Sequence, residues 1–432
     1  MKSITQKSKK ELDKLISIAR NYRSGTLSES MFHDVVKSLN ADKDLISTFK
    51  DYISDAGIKL ISDSADIDDI DEQIDTSAKI QPYDTTNIDI SPKHFSLQNI
   101  LDRLANEEEI DLLPDFQRIP GLWSVEQKSQ LIESLILRIP LPAFYFDGSN
   151  NDRWIVIDGL QRLTALKEFF IDKTLVLSGL EFLHDLEGAK LEDMPRAYER
   201  RMRETQVTAY IINPGAPTNL KYNIFKRINT GGITLEPQEI RHALYQGYAT
   251  VYIKELADLV LFKKSIGYSV NSERMMDREF VLRFIAFYEQ DLSLYNGSIE
   301  VFLNNTMEII NKKYDPNVTP LYAEEVKETF KSVLDVNIKI FGKFAFRRMP
   351  DMEKRRPINK ALFETWTICL TKHSISERHE LLSKKDILLS KYVSMCKDDK
   401  EFIESIRSAK ISSVKKRFEK IQELLVEVLR ND

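Results

Sequence analysis

The chain is poor in cysteine: Cys369 and Cys396 are the only two in 432 residues. They are far apart and form no CxxC pair, which removes a zinc cage and a disulfide framework from consideration and makes a reducing cytoplasm the expected compartment. No uninterrupted apolar run approaches the ~20 residues that a membrane helix needs. The N-terminus, MKSITQKSKKELDK, is basic but has no apolar run behind it, so no secretory signal is expected. An excess of one charge is also missing. Sixty-two basic residues against 67 acidic ones leave a net charge of -5, too small to assign a partner, so its distribution matters more than its sum.

What is present is uneven along the chain. Residues 9–60 carry apolar residues at helical spacing: Leu12, Leu15, Ile16 and Ile18, then Phe32, Val35, Val36 and Leu39, with a break at Ser24-Gly25. An acidic stretch follows, with Asp63, Asp66, Asp68, Asp69, Asp71, Glu72 and Asp75 and no basic residue among them. Such a run repels itself and reads as a solvated linker, ending near Pro92. From about 93 to 245 the signals alternate. Ser124-Val125-Glu126-Gln127 fits a capping box ahead of Leu131, Ile132, Leu135 and Ile136. Ala143–Phe146 and Trp154–Ile157 read as strands, as does Gln206–Ile212. Leu160–Phe170, Asn219–Ile228 and Pro237–Tyr245 read as helices, the last with Pro in its first turn. From 246 onward almost every segment has helical period. One basic cluster stands out there: Lys343, Arg347, Arg348, Lys354, Arg355, Arg356 and Lys360, interleaved with Phe341, Phe344 and Phe346.

The most informative segment is WIVIDGLQRLTAL. A buried strand ends at Asp158-Gly159 and a helix starts at once. Its unpaired N–H groups and partial positive charge point beyond the strand end. Gly159 allows a tight turn and close backbone approach. Arg162 lies in the first turn, where a guanidinium can fork onto phosphate oxygens. Asp158 is placed to hold a metal ion, or to orient Arg162 or a water. The alternative is a plain strand–turn–helix with Asp158 as the helix cap. Upstream, Pro114-Asp115-Phe116-Gln117-Arg118 offers a second arginine beside an amide. Downstream, Phe225-Lys226-Arg227-Ile228-Asn229-Thr230-Gly231-Gly232 runs from a helix end into a loop; the glycines suit a helix C-terminus, while Arg227 and Asn229 are polar donors at a sharp turn.

Taken in order, PDFQR, IPLPAFYF, WIVIDGLQRLTAL and YNIFKRINTGGITLEPQEIRHALY resemble the N-terminal domain family of GmrSD-type restriction enzymes, over about residues 93–250. That family is similar to ParB and sulfiredoxin, in which a DG-x-x-R turn cradles a nucleotide phosphate. The resemblance implies a pocket formed by Gln117, Arg118, Asp158, Gly159, Gln161, Arg162, Thr164, Arg227 and Asn229, holding an NTP with Mg²⁺, with Asp158 at the metal. Asp158, Gln161 and Arg162 would be catalytic. The family usually has Gln-Gln before the arginine; this chain has Leu160-Gln161, a departure that bears on hydrolysis rather than on phosphate binding. Many members also carry a C-terminal HNH nuclease. The six histidines here do not form one: only His373 and His379 are near each other, without the Cys or Asn context of a ββα-metal site.

A second resemblance covers the first 75 residues. ELDKLISIARNYRSGTLSESMFHDVV and LISTFKDYISDAGIKLISDSADIDDID are similar to the acidic N-terminal domain of primary bacterial sigma factors. The resemblance implies a DNA mimic or a docking module; the plainer alternative is a helical accessory domain with a solvated linker. In the basic cluster, Arg347, Arg348, Arg355 and Arg356 are expected to contact DNA phosphates, the alternative being a solvated face over a phenylalanine core.

The expected architecture is therefore α+β: a small acidic helical domain (1–75), a linker (76–92), a ParB/sulfiredoxin-like mixed domain (93–250) and a large helical domain (251–432). The expected function is nucleotide-dependent recognition or restriction of foreign DNA in bacterial defence, as a Mg²⁺-dependent NTPase or DNA endonuclease, alone or with a partner nuclease. The rival is a non-catalytic, antitoxin-like or regulatory protein that binds nucleotide or DNA without turnover. No membrane partner is expected.

Overall fold

The computed structural model describes residues 6–22, 26–39, 41, 43–61, 67–68, 90–106, 109–112, 123–148, 153–212, 218–228, 235–270, 272, 274–319 and 321–430. The acidic stretch lies outside the described residues except for Ile67 and Asp68. By internal contacts the chain divides into two units, Gln81–Leu244 and the combination of Met1–Ile80 with Tyr245–Asp432. The N-terminal segment thus groups with the C-terminal helices.

In that combined unit, α1 (Gln6–Tyr22), β1 (Thr26–Ser28), α2 (Glu29–Ser38), α3 (Lys43–Asp55) and β2 (Lys59–Ile61) surround one small core. Leu12, Leu15, Ile16, Ala19, Phe32, Val36, Phe49 and Ile53 fill it, at the helical spacing the sequence shows. Strands β1 and β2 pair in parallel, and β3 (Ile67–Asp68) belongs to the same unit.

The central unit is a mixed sheet with helices on both faces. In chain order its elements are β4 (Ile90–Ser96), α4 (Leu97–Ala105), β5 (Ile110–Asp111), α5 (Val125–Ile136), β6 (Phe144–Asp147), β7 (Trp154–Asp158), α6 (Leu160–Phe170), α7 (Arg196–Glu204), β8 (Gln206–Ile212), α8 (Thr218–Ile228) and α9 (Pro237–Leu244). The strand order is β4-β8-β6-β7-β5. The pairs β4/β8 and β6/β7 are antiparallel, and β6/β8 and β5/β7 are parallel. Strand alternation sends Val207, Ala209, Ile211, Phe144, Phe146, Trp154 and Val156 to one face, against Ile100, Leu104, Leu135, Leu163 and Leu166 of the helices. Each side chain buried in full there contributes about 1.5–3 kcal/mol. On the other face Ile212 and Ile157 meet Tyr222 and Phe225 of α8 and Ile240 of α9.

The capping box at the start of α5 is formed as the sequence indicates: Ser124 Oγ accepts from the Gln127 N–H, and Gln127 Oε1 accepts from the Ser124 N–H at 3.0 Å. Further along α5, buried Glu133 accepts from the backbone N–H groups of Glu181, Phe182 and Leu183 at 3.0, 2.8 and 2.7 Å. Burial pushes this carboxyl up, but the three donors and His184 together outweigh it and hold the pKa below the ordinary glutamate range.

The remaining helices are α10 (Tyr248–Asp258), α11 (Val260–Ser265), α12 (Met276–Glu289), α13 (Ile299–Lys313) and α14 (Tyr322–Phe341), then, after β9 (Ile358–Asn359), α15 (Lys360–Thr371), α16 (Ile375–Ser383), α17 (Lys385–Asp398), α18 (Lys400–Ser405) and α19 (Ile411–Arg430). Strand β9 pairs in parallel with β3. A buried ionic network ties three of these helices together. Glu364 of α15, fully buried, accepts from Arg283 of α12 at 3.1 Å and from Arg417 of α19. Arg283 also donates to Glu279 at 2.9 Å, and Lys360 lies 3.1 Å from the same carboxylate. Among the described residues no helix is long and apolar enough to cross a membrane.

Two predictions follow from these buried carboxylates. Glu364→Leu strands Arg417 and one arm of Arg283 in the core and should cost about 3–5 kcal/mol; an unchanged thermal transition would contradict the network. Glu133 has a lowered folded pKa, so its contribution is present above the unfolded value of about 4.3 and is lost as pH falls through the folded value. Glu133→Gln should therefore lower stability at pH 7 and flatten its decline on acidification below pH ~4.3, as read by urea unfolding across pH. A parallel offset at every pH would show that the carboxylate's charge is not what matters.

Candidate functional site

Strand β7 ends at Asp158, and α6 begins two residues later. Gly159 makes the turn at φ +104°, a left-handed conformation that favours glycine. A Cβ there would also sit 2.5 Å from Cδ1 of Phe144. Gly159 is the N-cap and offers no side-chain bond, so the first N–H groups of α6 have no cap. The side chains of Ser96, Ser124, Ser298, Asn359 and Ser374 cap α4, α5, α13, α15 and α16, whereas α6 shares an open start with helices such as α7, α10 and α12. The alternative in which Asp158 caps α6 is thereby overturned: its carboxylate faces Arg162 instead.

Arg162 is the centre of the arrangement, but not as a free phosphate fork. It is 8 % exposed. One terminal nitrogen donates to the carbonyls of Pro142 and Ala143, and the other donates to Ala143 O at 3.2 Å and to Asp158 Oδ2 at 2.9 Å. The guanidinium lies 4.8 Å above the ring of Phe144. Burial draws its pKa below the ordinary arginine value, and Asp158 and Tyr145 oppose that shift. The expectation that Arg162 stands free to fork onto phosphate oxygens is corrected on this point. Its donors are engaged by the protein, and it fixes the orientation of Asp158.

Asp158 itself is about one-third exposed. It pairs across the sheet with Tyr145, where a bulge interrupts the β6/β7 register. Tyr145 in turn stacks on Tyr210 of β8, with ring centroids 4.9 Å apart and planes 14° from parallel. Burial raises the Tyr145 pKa, and Tyr210 and Asp158 add to the effect. On α6, Gln161 and Thr164 stand three residues apart and so share a face; both are half-buried. The Gln161 Oε1 is buried with no hydrogen-bond donor. Leu160 turns the other way and packs against the main core of the sheet.

The other expected site residues are distributed differently. Arg227 is exposed near the C-terminus of α8. Gln117, Arg118 and Asn229 lie outside the described residues. Besides the part-exposed Asp158, the sheet carries a buried carboxylate, Asp147, which is 3.0 Å from Lys221 of α8. Sequence reading did not single out this pair. Among the described residues, no three His, Cys, Asp or Glu side chains converge as a metal cage.

The basic cluster is mixed: Lys343 and Lys354 are exposed, Arg348, Arg355 and Arg356 are half-buried, and Arg347 is buried. Arg347 is 1 % exposed and donates to Arg356 O at 2.9 Å, to Ser269 Oγ at 2.6 Å and to Ile266 O at 3.2 Å. A DNA contact by Arg347 is therefore corrected: the side chain is a core tether. Arg348 donates to Cys396 O, Arg355 to Ser269 Oγ and Arg356 to Asp351. Phe341 and Phe346 are buried beneath them. Arg347 and Arg355 tie this segment to Ile266 and Ser269, Arg348 ties it to Cys396 of α17, and Arg356 closes on Asp351 within it.

Residues 97–246 match the family model described as GmrSD restriction endonuclease, N-terminal domain. The matched stretch contains the Asp158-to-Arg162 turn and the mixed sheet from β5 to β8. No curated protein and no solved structure matches the chain.

The clamp role predicts that Arg162→Ala destabilises the central unit, since a hydrogen bond to a charged group contributes about 1.5–3 kcal/mol. Arg162→Lys should not restore it, because an ammonium cannot span two carbonyls and a carboxylate in one plane. Thermal unfolding tests both. A full-stability alanine variant would return Arg162 to the status of a free ligand.

Proposed function

We propose that the central domain binds a nucleoside triphosphate at the N-terminus of α6, and that the protein is a component of a restriction or anti-phage system acting on DNA. The observation that carries the first half is the uncapped start of α6 together with the orphaned Gln161 Oε1. Unpaired N–H groups and the helix dipole attract phosphate oxygens, and a buried acceptor without a donor costs about 1–3 kcal/mol until one is supplied. A ribose hydroxyl, an amino group of a base or a phosphate-bound water would satisfy it. The family match over 97–246 supports the second half.

The residues present also fit Mg²⁺ in its usual nucleotide-bound form, which takes one or two carboxylates and completes its shell with phosphate oxygens and water. Asp158 is the candidate ligand; one of its oxygens is held by Arg162, which fixes the direction of the other. Bound there, the ion would offset phosphate charge. The protein's own part is to present the α6 N–H groups, to hold Asp158 still through Arg162, and to orient a polar group or water with Gln161.

A second reading, binding without turnover, is favoured by Leu160. Where the family usually has glutamine, this chain has a half-buried apolar side chain packed against the core, which leaves one polar group fewer for activating water. Phosphate release by the purified protein with Mg²⁺ and each nucleoside triphosphate, with and without DNA, separates the two. Release that DNA stimulates supports the first; calorimetric binding with no release supports the second. In either case Gln161→Leu should weaken binding by about 2- to 10-fold, the equivalent of one neutral hydrogen bond. Unchanged affinity in a folded variant would remove Gln161 from the site.

A further inference from the structure

Arg347 is buried, and Arg348, Arg355 and Arg356 each donate a hydrogen bond within the protein, so a positive surface with unengaged arginines is sought elsewhere. Helix α7, RAYERRMRE, carries four arginines in nine residues. Met202 points into the core. Arg201 donates to Ile136 O, and Arg203 is fixed by Glu199 at 2.9 Å, by Gln98 Oε1 at 2.8 Å and by the ring of Phe170. Arg196 and Arg200 differ from both. They are exposed, and among the described residues neither has an ion-pair or hydrogen-bond partner.

Arg196, Arg200 and Arg203 stand at i, i+4 and i+7 and so share one face of α7. That face forms one wall of a groove of about 420 Å³, with Ser96 and Gln98, at the start of α4, on the other side. The two acids of the lining do not cancel its charge evenly. Glu199 is already neutralised by Arg203, and Glu204 sits at the far end of the helix. The N-terminal half of the groove therefore presents two guanidiniums about 6 Å apart along the helix axis, on a rigid element.

We infer that this groove binds the phosphodiester backbone of DNA, with Arg196 and Arg200 each taking a phosphate. A repeated anion suits two arginines spaced along an open trough, and a guanidinium is the side chain that forks onto phosphate oxygens. Contacts of this kind fix register on the duplex without reading sequence. The inference rests on the DNA-acting reading above and assigns it a surface.

The test uses the full-length protein and a fluorescently labelled DNA duplex, with anisotropy titrations across a salt series. Each lost phosphate contact reduces the slope of log affinity against log salt by ~0.9. Arg196→Glu/Arg200→Glu should therefore flatten the slope by about 1.8 and weaken low-salt binding at least tenfold, while Arg196→Lys/Arg200→Lys retains most of the slope. Nucleotide affinity, measured in parallel, should be the same in all three proteins, which also reports that the variants are folded. A glutamate variant with the wild-type slope overturns the groove and leaves the DNA-acting reading standing. Wild-type protein that binds no duplex at any salt overturns both.

Discussion

A buried guanidinium joins the end of one strand to the approach of another. Arg162 reaches from the first turn of α6 to the carbonyls of Pro142 and Ala143, just before β6, and to Asp158 at the end of β7, with Phe144 beneath it. Carbonyls at a strand entry are orphaned by the end of the ladder, and a buried cation needs acceptors; each satisfies the other. The bond network fixes the height of α6 over the sheet, which brings Gly159 so close to Phe144 that only a residue without Cβ fits.

That placement determines what the site can do. A side-chain cap would close the start of α6, as Ser124 closes the start of α5. With Asp158 drawn sideways to Arg162, the N–H groups of α6 are left for something else. The arginine thus supports the site by holding a carboxylate away from the helix end, a positioning role. The chemistry then depends on what surrounds the helix start: Gln161 with an unmet acceptor, Asp158 with a fixed orientation, and Tyr145 against Tyr210 on the adjoining strands.

Much of the central domain was legible before its coordinates. Strand Gln206–Ile212 and helix Leu160–Phe170 have the bounds that periodicity suggests, because apolar residues recur in each at the spacing of its own element. The capping box at Ser124 was readable because it is a local pairing of side chain and backbone three residues apart. Less was visible at the linker end placed near Pro92. Ile90–Ser96 is strand β4, and it accepts a proline because it is the edge of the sheet. Two arginine readings failed for a shared reason. Apart from the i, i+4 pair of Arg162 with Asp158, neither arginine meets its partners through a sequence pattern: both donate to backbone carbonyls brought near by tertiary packing. The exposed pair Arg196 and Arg200 carried a visible signal, arginine at i and i+4 on a short amphipathic helix, which the longer basic cluster overshadowed.

The central claim is that a triphosphate rests on the start of α6, and the N–H groups there can report it directly. Hydrogen exchange of the backbone amides of Leu160, Gln161 and Arg162, followed with and without a nucleoside triphosphate and Mg²⁺, is the measurement. The account predicts marked slowing at these three amides when nucleotide is bound, as each gains an anionic acceptor. Nucleotide binding that leaves their exchange unchanged while protecting another part of the domain would contradict it.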